Sequence, residues 1–197
     1  MRIAITGGIG SGKSYVCALL AQRGIAIYDC DAAAKRLMRQ SASLRQQLTA
    51  LIGPEAYDAQ GLLNKAEVAR FLLASADNAH AIDAIVHPAV ARDFLSSGMQ
   101  WMECAILYES GFDSLVDKVI VVTAPQAVRI ERVTRRDGIS PEKAAEWMGR
   151  QWNQDMVRQR ADYEIVNDGL CPLAPQIEKL LSSLAADTAT KQATKQP

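Results

Sequence analysis

Two periodicities alternate along the chain. Short apolar runs bounded by glycine or acidic residues give way to longer stretches in which apolar residues recur every three or four positions. Residues 2–6 form the first short run, which ends in glycines and predicts a strand. From Lys13 the pattern turns helical, with Val16, Leu19 and Leu20 on one face and Gly24 placed to close the helix. Residues 25–28 predict a second strand, with Asp29-Cys30-Asp31 at its carboxyl end. Residues 32 to about 98 read mainly as helix. Leu44, Leu48, Leu51 and Ile52 fall at helical spacing, and Gly53-Pro54 stops that segment. Asn64 with Glu67 resembles a helix start, followed by Val68, Phe71 and Leu72. Pro88 fits a first helical turn, with Val90, Phe94 and Leu95 behind it and Gly98 after it.

Residues 101–108 predict a third strand, ending at Glu109. Residues 119–122 predict a fourth, apolar enough to be buried on both faces. Pro125 opens a helix that reaches Arg135 or Arg136, and Ser140-Pro141 starts another. Residues 163–166 make the last strand, and a closing helix follows from Pro172. Strands alternating with helices argue for a parallel α/β sheet covered on both faces, a three-layer sandwich. Residues 186–197 are rich in Ala, Thr, Lys and Gln without apolar periodicity, so a disordered tail is expected there.

Composition narrows the class. A chain of 197 residues suits one domain with room for inserted helices, here placed at residues 1–185. Acidic and basic residues both number 22, and a net charge of zero argues against a general nucleic-acid binder. Cys17, Cys30, Cys104 and Cys171 form no C-x-x-C pair. Cys17 and Cys104 read as small core residues, and reduced thiols suit the cytoplasm. The first residues lack the apolar region of a signal peptide, and no run approaches a membrane span. Two histidines and scattered cysteines make no zinc site.

Gly7-Gly8-Ile9-Gly10-Ser11-Gly12-Lys13-Ser14 matches G-x-x-x-x-G-K-S, between a predicted strand and a predicted helix. In that setting backbone N–H groups cradle phosphate oxygens, Lys13 reaches the β- and γ-phosphates of ATP, and the Ser14 hydroxyl ligates Mg²⁺. The helix start adds its positive end. A dinucleotide fingerprint fits poorly, because Lys13 stands where its last glycine belongs. GTPase switches require D-x-x-G and N-K-x-D at separate strand ends. The look-alikes here, Asp58 to Gly61 and Asn64 to Glu67, are nearly adjacent and follow no strand. A motor-type ATPase would need a strand ending in a Walker-B Asp and further sensor segments. A compact small-molecule kinase remains, with inserted helices for an acceptor and an arginine-bearing lid.

The chain resembles the dephospho-CoA kinase family over nearly all residues to about 180. Thr6 to Ser14 matches its T-G-G-I-G-S-G-K-[ST] opening, Asp29-Cys30-Asp31 its D-A-D, and His87-Pro88 its H-P. Leu107 to Gly111 stands for its L-L-F-E-S-G-like segment. Arg132, then Arg135 to Gly138, match its R-x-x-x-R-D-G, Gln151 a lid glutamine, and Ala161-Asp162-Tyr163 with Asn167 its ending. Tyr15, Cys30, Ala105 and Arg129 depart from the usual Thr, Ala, Pro and Gln.

The resemblance implies transfer of phosphate from ATP to the ribose 3′-hydroxyl of dephospho-CoA. It also implies a CoA-side helical insertion at roughly 32–95 and a lid at roughly 135–160. Another small-molecule or nucleotide kinase of this fold is the alternative. ATP contacts are expected at Gly8, Ile9, Gly10, Ser11, Gly12, Lys13, Ser14, Tyr15, Arg132, Arg136, Arg150 and Asn167. Lys13 and Asp31 are the candidate catalytic residues, and Ser14 is the metal ligand. Asp31, His87 and Glu109 are expected on the acceptor, with the ordering of Mg²⁺ waters as the other reading of Glu109. A helix cap is the other reading of Asp31. Asp29 is either a metal-side partner or a turn residue, and His87 is either an acceptor contact or structural. Arg158 and Arg160 are weaker candidates.

Overall fold

The computed structural model describes residues 1–193 and divides into two compact units, one of residues 1–27 with those from 100 onward, the other Tyr28–Met99. The first holds strands β1 (Ile3–Thr6), β3 (Trp101–Glu103), β4 (Lys118–Thr123) and β5 (Tyr163–Val166). With β2 (Ile27–Asp29) at the edge, they form one sheet in the order β2-β3-β1-β4-β5. The strands flanking β1 run parallel to it, with Ala4 opposite Met102 on one side and Val119 on the other. All four residues of β1 are buried, as a central strand covered on both faces requires.

Helix α1 (Lys13–Ala21) and the closing helix α9 (Leu173–Ala193) cover the sheet. Val16, Cys17 and Leu20 from α1 and Ile177, Leu180 and Leu184 from α9 join Ile3, Ile5, Ile120, Val122 and Ile165 in one core. This unit also holds the α-helices α6 (Gln126–Asp137), α7 (Pro141–Met148) and α8 (Gln154–Arg160) and a short 3-10 turn at Phe112–Leu115. No helix among the described residues is long and apolar enough to cross a membrane.

The Tyr28–Met99 unit contains α2 (Cys30–Gln40), α3 (Ala42–Ile52), α4 (Lys65–Ala74) and α5 (Ala76–Ser97). A side-chain cap starts each of these helices: Asp29, Ser41, Asn64 and Ser75 each accept from the backbone N–H three residues on. Tyr28 anchors α5 to α2. Its ring packs on Phe94 at 5.3 Å, its hydroxyl donates to Asp93 Oδ2 at 2.6 Å, and Arg36 donates to the same oxygen at 2.6 Å. Burial, then the adjacent carboxylate, raises the Tyr28 pKa. The GTPase look-alikes are local structure: Asp58 Oδ1 accepts from the Gln60 and Leu62 amides within a turn, and Asn64 is the α4 cap.

Three expectations are corrected. The third strand stops at Glu103, because the chain from 105 folds into turns in which Ser110 N–H reaches the Ile106 carbonyl and Phe112 N–H that of Leu107. Those turns bury Leu107 and Phe112, so an apolar run there satisfies a core without being a strand. Pro88 opens no helix; it lies inside the 22-residue α5. A proline costs an interior helix one hydrogen bond, and burial of Val86, Ala89, Val90 and Phe94 holds the helix through it.

The tail expected to be disordered from Ala186 is helical through Ala193, and its last four residues lie outside the described chain. Asp187 explains the extension: it accepts from the Tyr163 hydroxyl at 2.7 Å and pairs with Lys118 at 3.2 Å. Removing residues 186–197 is therefore expected to lower the melting temperature by about 2–4 °C, the scale of ~1 kcal/mol in a domain this size. Turnover should be unchanged. A thermal melt paired with a rate measurement checks both.

Candidate active site

The turn between β1 and α1 is shaped by its glycines. Gly12 caps α1 at φ 85°, and a Cβ there would collide with the Asn167 side-chain amide. Only glycine accepts both conditions. Asn167 itself is buried just beyond β5; its Nδ2 donates to the Ser11 carbonyl at 2.8 Å, and its backbone N–H donates to Thr123. The start of α1 leaves N–H groups directed at the turn, where an anion would meet the positive end of the helix.

Lys13 is 9 % exposed and forms an ion pair with Glu103 at the carboxyl end of β3. Arg132, on α6, reaches the Gly10 and Ser11 carbonyls and Asn167 Oδ1, each at 3.4 Å. Arg136, one turn further, is paired with Asp137 through two hydrogen bonds of 2.9 and 2.7 Å. The turn, Lys13, Ser14, Arg132 and Arg136 enclose a cavity of about 320 Å³. Its walls offer two guanidiniums, an ammonium, a hydroxyl and backbone N–H groups. That donor set fits a polyphosphate.

The other expected site residues fall elsewhere or have other partners. Tyr15 is 61 % exposed, and Arg150, just past the end of α7, spends its guanidinium on Glu146 at 2.5 Å; neither lines the cavity. Glu109 lies in the turns after β3, not at a strand end, and its carboxylate accepts from the Trp152 backbone N–H at 3.0 Å. The Trp152 ring stacks on Tyr108 at 5.7 Å, and Arg160 covers Tyr108 at 4.5 Å. Arg158 pairs with Glu164. Ser14 is exposed and lines the cavity.

In the second unit, Asp29 and Asp31 separate cleanly. Asp29 is the α2 cap, its Oδ1 accepting from Ala32 N–H at 2.9 Å. Asp31 is not the cap: its side chain is 77 % exposed and pairs one turn along with Lys35. His87 Nε2 lies 3.4 Å from Asp83 one turn earlier on α5.

Two residues at this site escaped the sequence. Glu103 is the acidic partner of Lys13; its signal was one charged residue inside an apolar run, hidden by extending that run to 108. Arg129 is 7 % exposed and its Nε donates to the Ile9 carbonyl at 2.9 Å. Its signal was its position one turn before the buried Val133 on α6, the inward face of the helix.

A parallel sheet in the order 2-3-1-4-5, a phosphate-cradling turn after its central strand and arginines on the facing helix define a P-loop kinase. A sequence model of the dephospho-CoA kinase family matches residues 1–172, and the chain belongs to that family. The dephospho-CoA kinase of Porphyromonas gingivalis is 39 % identical over 189 residues, covering 92 % of this chain and 93 % of that protein. Among solved structures, TT1252 from Thermus thermophilus superposes with a TM-score of 0.79 at 30 % identity, covering 95 % of this chain and 97 % of that one. Dephospho-CoA kinase from Campylobacter jejuni shares the fold at a TM-score of 0.65 and 16 % identity, covering 96 % and 98 %.

Proposed function

We propose that this protein transfers the γ-phosphoryl group of ATP to the ribose 3′-hydroxyl of dephospho-CoA, giving ADP and coenzyme A. The observation that carries the reading is the 320 Å³ phosphate cavity with Lys13 and Arg132 in its wall, in a chain matched to that family over residues 1–172. In this reading the 3′-oxygen attacks the γ-phosphorus, the bond to the β–γ bridging oxygen breaks, and the hydroxyl proton passes to Asp31. Asp31 suits the role because its carboxylate is not consumed by capping, whereas that of Asp29 is. Lys13 and Arg132 neutralise charge on the transferring group. The carboxylate released when Lys13 turns to phosphate is Glu103, and with the Ser14 hydroxyl it would hold Mg²⁺ and its waters. That ion supplies further charge neutralisation on the phosphate oxygens. Arg136 would exchange Asp137 for phosphate. The helical unit Tyr28–Met99 would receive the pantetheine-bearing part of the acceptor, with His87 on its side, and residues 135–160 would act as the lid. Cys17, Cys30, Cys104 and Cys171 form no disulfide among the described residues, which suits a cytoplasmic enzyme.

The test is kcat/KM for dephospho-CoA against adenosine at saturating ATP and Mg²⁺. A preference of at least about a hundredfold is expected, the equivalent of ~2.7 kcal/mol of remote binding used to align the hydroxyl. Comparable values, or a preference for a nucleoside monophosphate, would leave a kinase and remove the coenzyme A reading.

A further inference from the structure

Arg129 meets the phosphate loop from behind. Its backbone carbonyl lies 2.6 Å from where a Cβ on Gly10 would stand, so the loop is seated directly on α6. Its guanidinium lies 2.5 Å from where a Cβ on Gly8 would stand, and Gln151 Oε1 lies 3.4 Å from that same point. Between them these side chains hold both polar groups of the Ile9 backbone: Ile9 N–H donates to Gln151 Oε1 at 2.8 Å, and the Ile9 carbonyl accepts from Arg129 Nε at 2.9 Å. Gln154 Oε1 accepts from Ala124 N–H at 3.2 Å and stands 3.5 Å from Arg129 Nη1.

All these oxygens are neutral. Among the described residues no carboxylate pairs with Arg129, although the side chain is buried, and burial lowers its pKa. Guanidinium stays charged at any pH at which the protein is folded. A buried cation without a counter-ion is costly, and the deficit is relieved by an anion brought nearby. The cavity on the other side of the loop is where a polyphosphate would arrive.

We infer that Arg129 is a positioning residue for the nucleotide, fixing the tip of the phosphate loop through the Ile9 carbonyl while its uncompensated charge raises affinity for polyphosphate. The inference depends on the loop's binding a nucleotide, as proposed above. Both effects act on ATP and ADP before and during transfer alike. Uniform binding of this kind changes KM and Kd and leaves kcat nearly alone.

The experiment compares Arg129→Gln and Arg129→Lys with the unaltered protein, measuring ADP Kd by calorimetry and ATP KM and kcat by ADP release. Arg129→Gln should raise both ADP Kd and ATP KM by roughly tenfold, the size of one charge-assisted contact, with kcat changed by less than about threefold. Arg129→Lys keeps the charge and should recover most of the loss. Gln151→Glu gives a reading independent of any folding defect at position 129. It keeps an oxygen for Ile9 N–H while placing a counter-ion beside Arg129, so ADP should bind more weakly to a protein whose ligand-free melting temperature is unchanged or higher. Unchanged ADP Kd in Arg129→Gln, a fall in kcat alone, no recovery in Arg129→Lys, or unchanged or tighter ADP binding in Gln151→Glu would each overturn the inference. Failure of the unaltered protein to bind ADP would overturn the nucleotide reading along with it.

Discussion

Lys13→Ala is expected to reduce phosphoryl transfer by at least about 10²–10³-fold, the loss typical when one charge-stabilising donor is removed from a transition state. Lys13 is the loop's own cation and lies in the wall of the phosphate cavity. Its ion pair with Glu103 complicates the measurement. The Glu103 side chain is 17 % exposed, and deleting its partner leaves a largely buried carboxylate uncompensated. Lys13→Ala alone should therefore also lose stability. Adding Glu103→Gln removes the stranded charge and should restore the melting temperature while turnover stays low. Near-normal turnover in the folded double variant would falsify the assignment of the phosphate loop. Recovery of turnover together with stability would mean that Lys13 acts on the fold and not on the phosphate.

Asp31→Asn should lower kcat by about 10²–10⁴-fold, the range for a positioned proton acceptor, with ATP affinity barely altered. The structure makes this a clean substitution. The carboxylate is exposed and its pairing with Lys35 is a surface i,i+4 contact, worth ~0.3–0.5 kcal/mol at most. Stability should not move. Asp29 supplies the contrast. Asp29→Asn should keep both cap and activity, because asparagine caps as well as aspartate, whereas Asp29→Ala should cost about 1 kcal/mol of stability. If Asp31→Asn weakened ATP binding and left kcat near its starting value, Asp31 would be a nucleotide or metal contact. A loss of activity in Asp29→Asn as large as in Asp31→Asn would assign chemistry to the wrong carboxylate.

The phosphate loop was legible because its chemistry is local. The turn needs glycine where φ is positive, lysine and a hydroxyl at the helix start, and a strand before it, all within about a dozen residues. The same holds for the helix caps at Asn64 and Ser140, where a side chain answers an amide three positions away. The parallel sheet was legible for a related reason. Residues 119–122 are apolar on both faces, which only a strand covered on both sides explains. The order of the strands was not, since nothing local in β3 says that it pairs with β1.

What the tertiary structure decided depends on contacts between residues far apart in sequence. The apolar run at 101–108 is compatible with a strand or with buried turns. The choice fell to the sites that Leu107 and Phe112 fill, and it left Glu103, the partner of Lys13, at the end of the strand. The polar stretch after Ala186 has no apolar stripe to predict a docked helix, yet Asp187 finds Tyr163, 24 residues away, and the helix continues. Arg132 and Arg150 look alike as basic residues of the same region. One meets Asn167 and the Gly10 and Ser11 carbonyls, the other, just past the end of α7, pairs with Glu146 four residues before it. Charge and spacing define a set of candidates among which sequence cannot choose, because a guanidinium's role is set by which backbone carbonyls and carboxylates the fold brings within 3 to 4 Å of it.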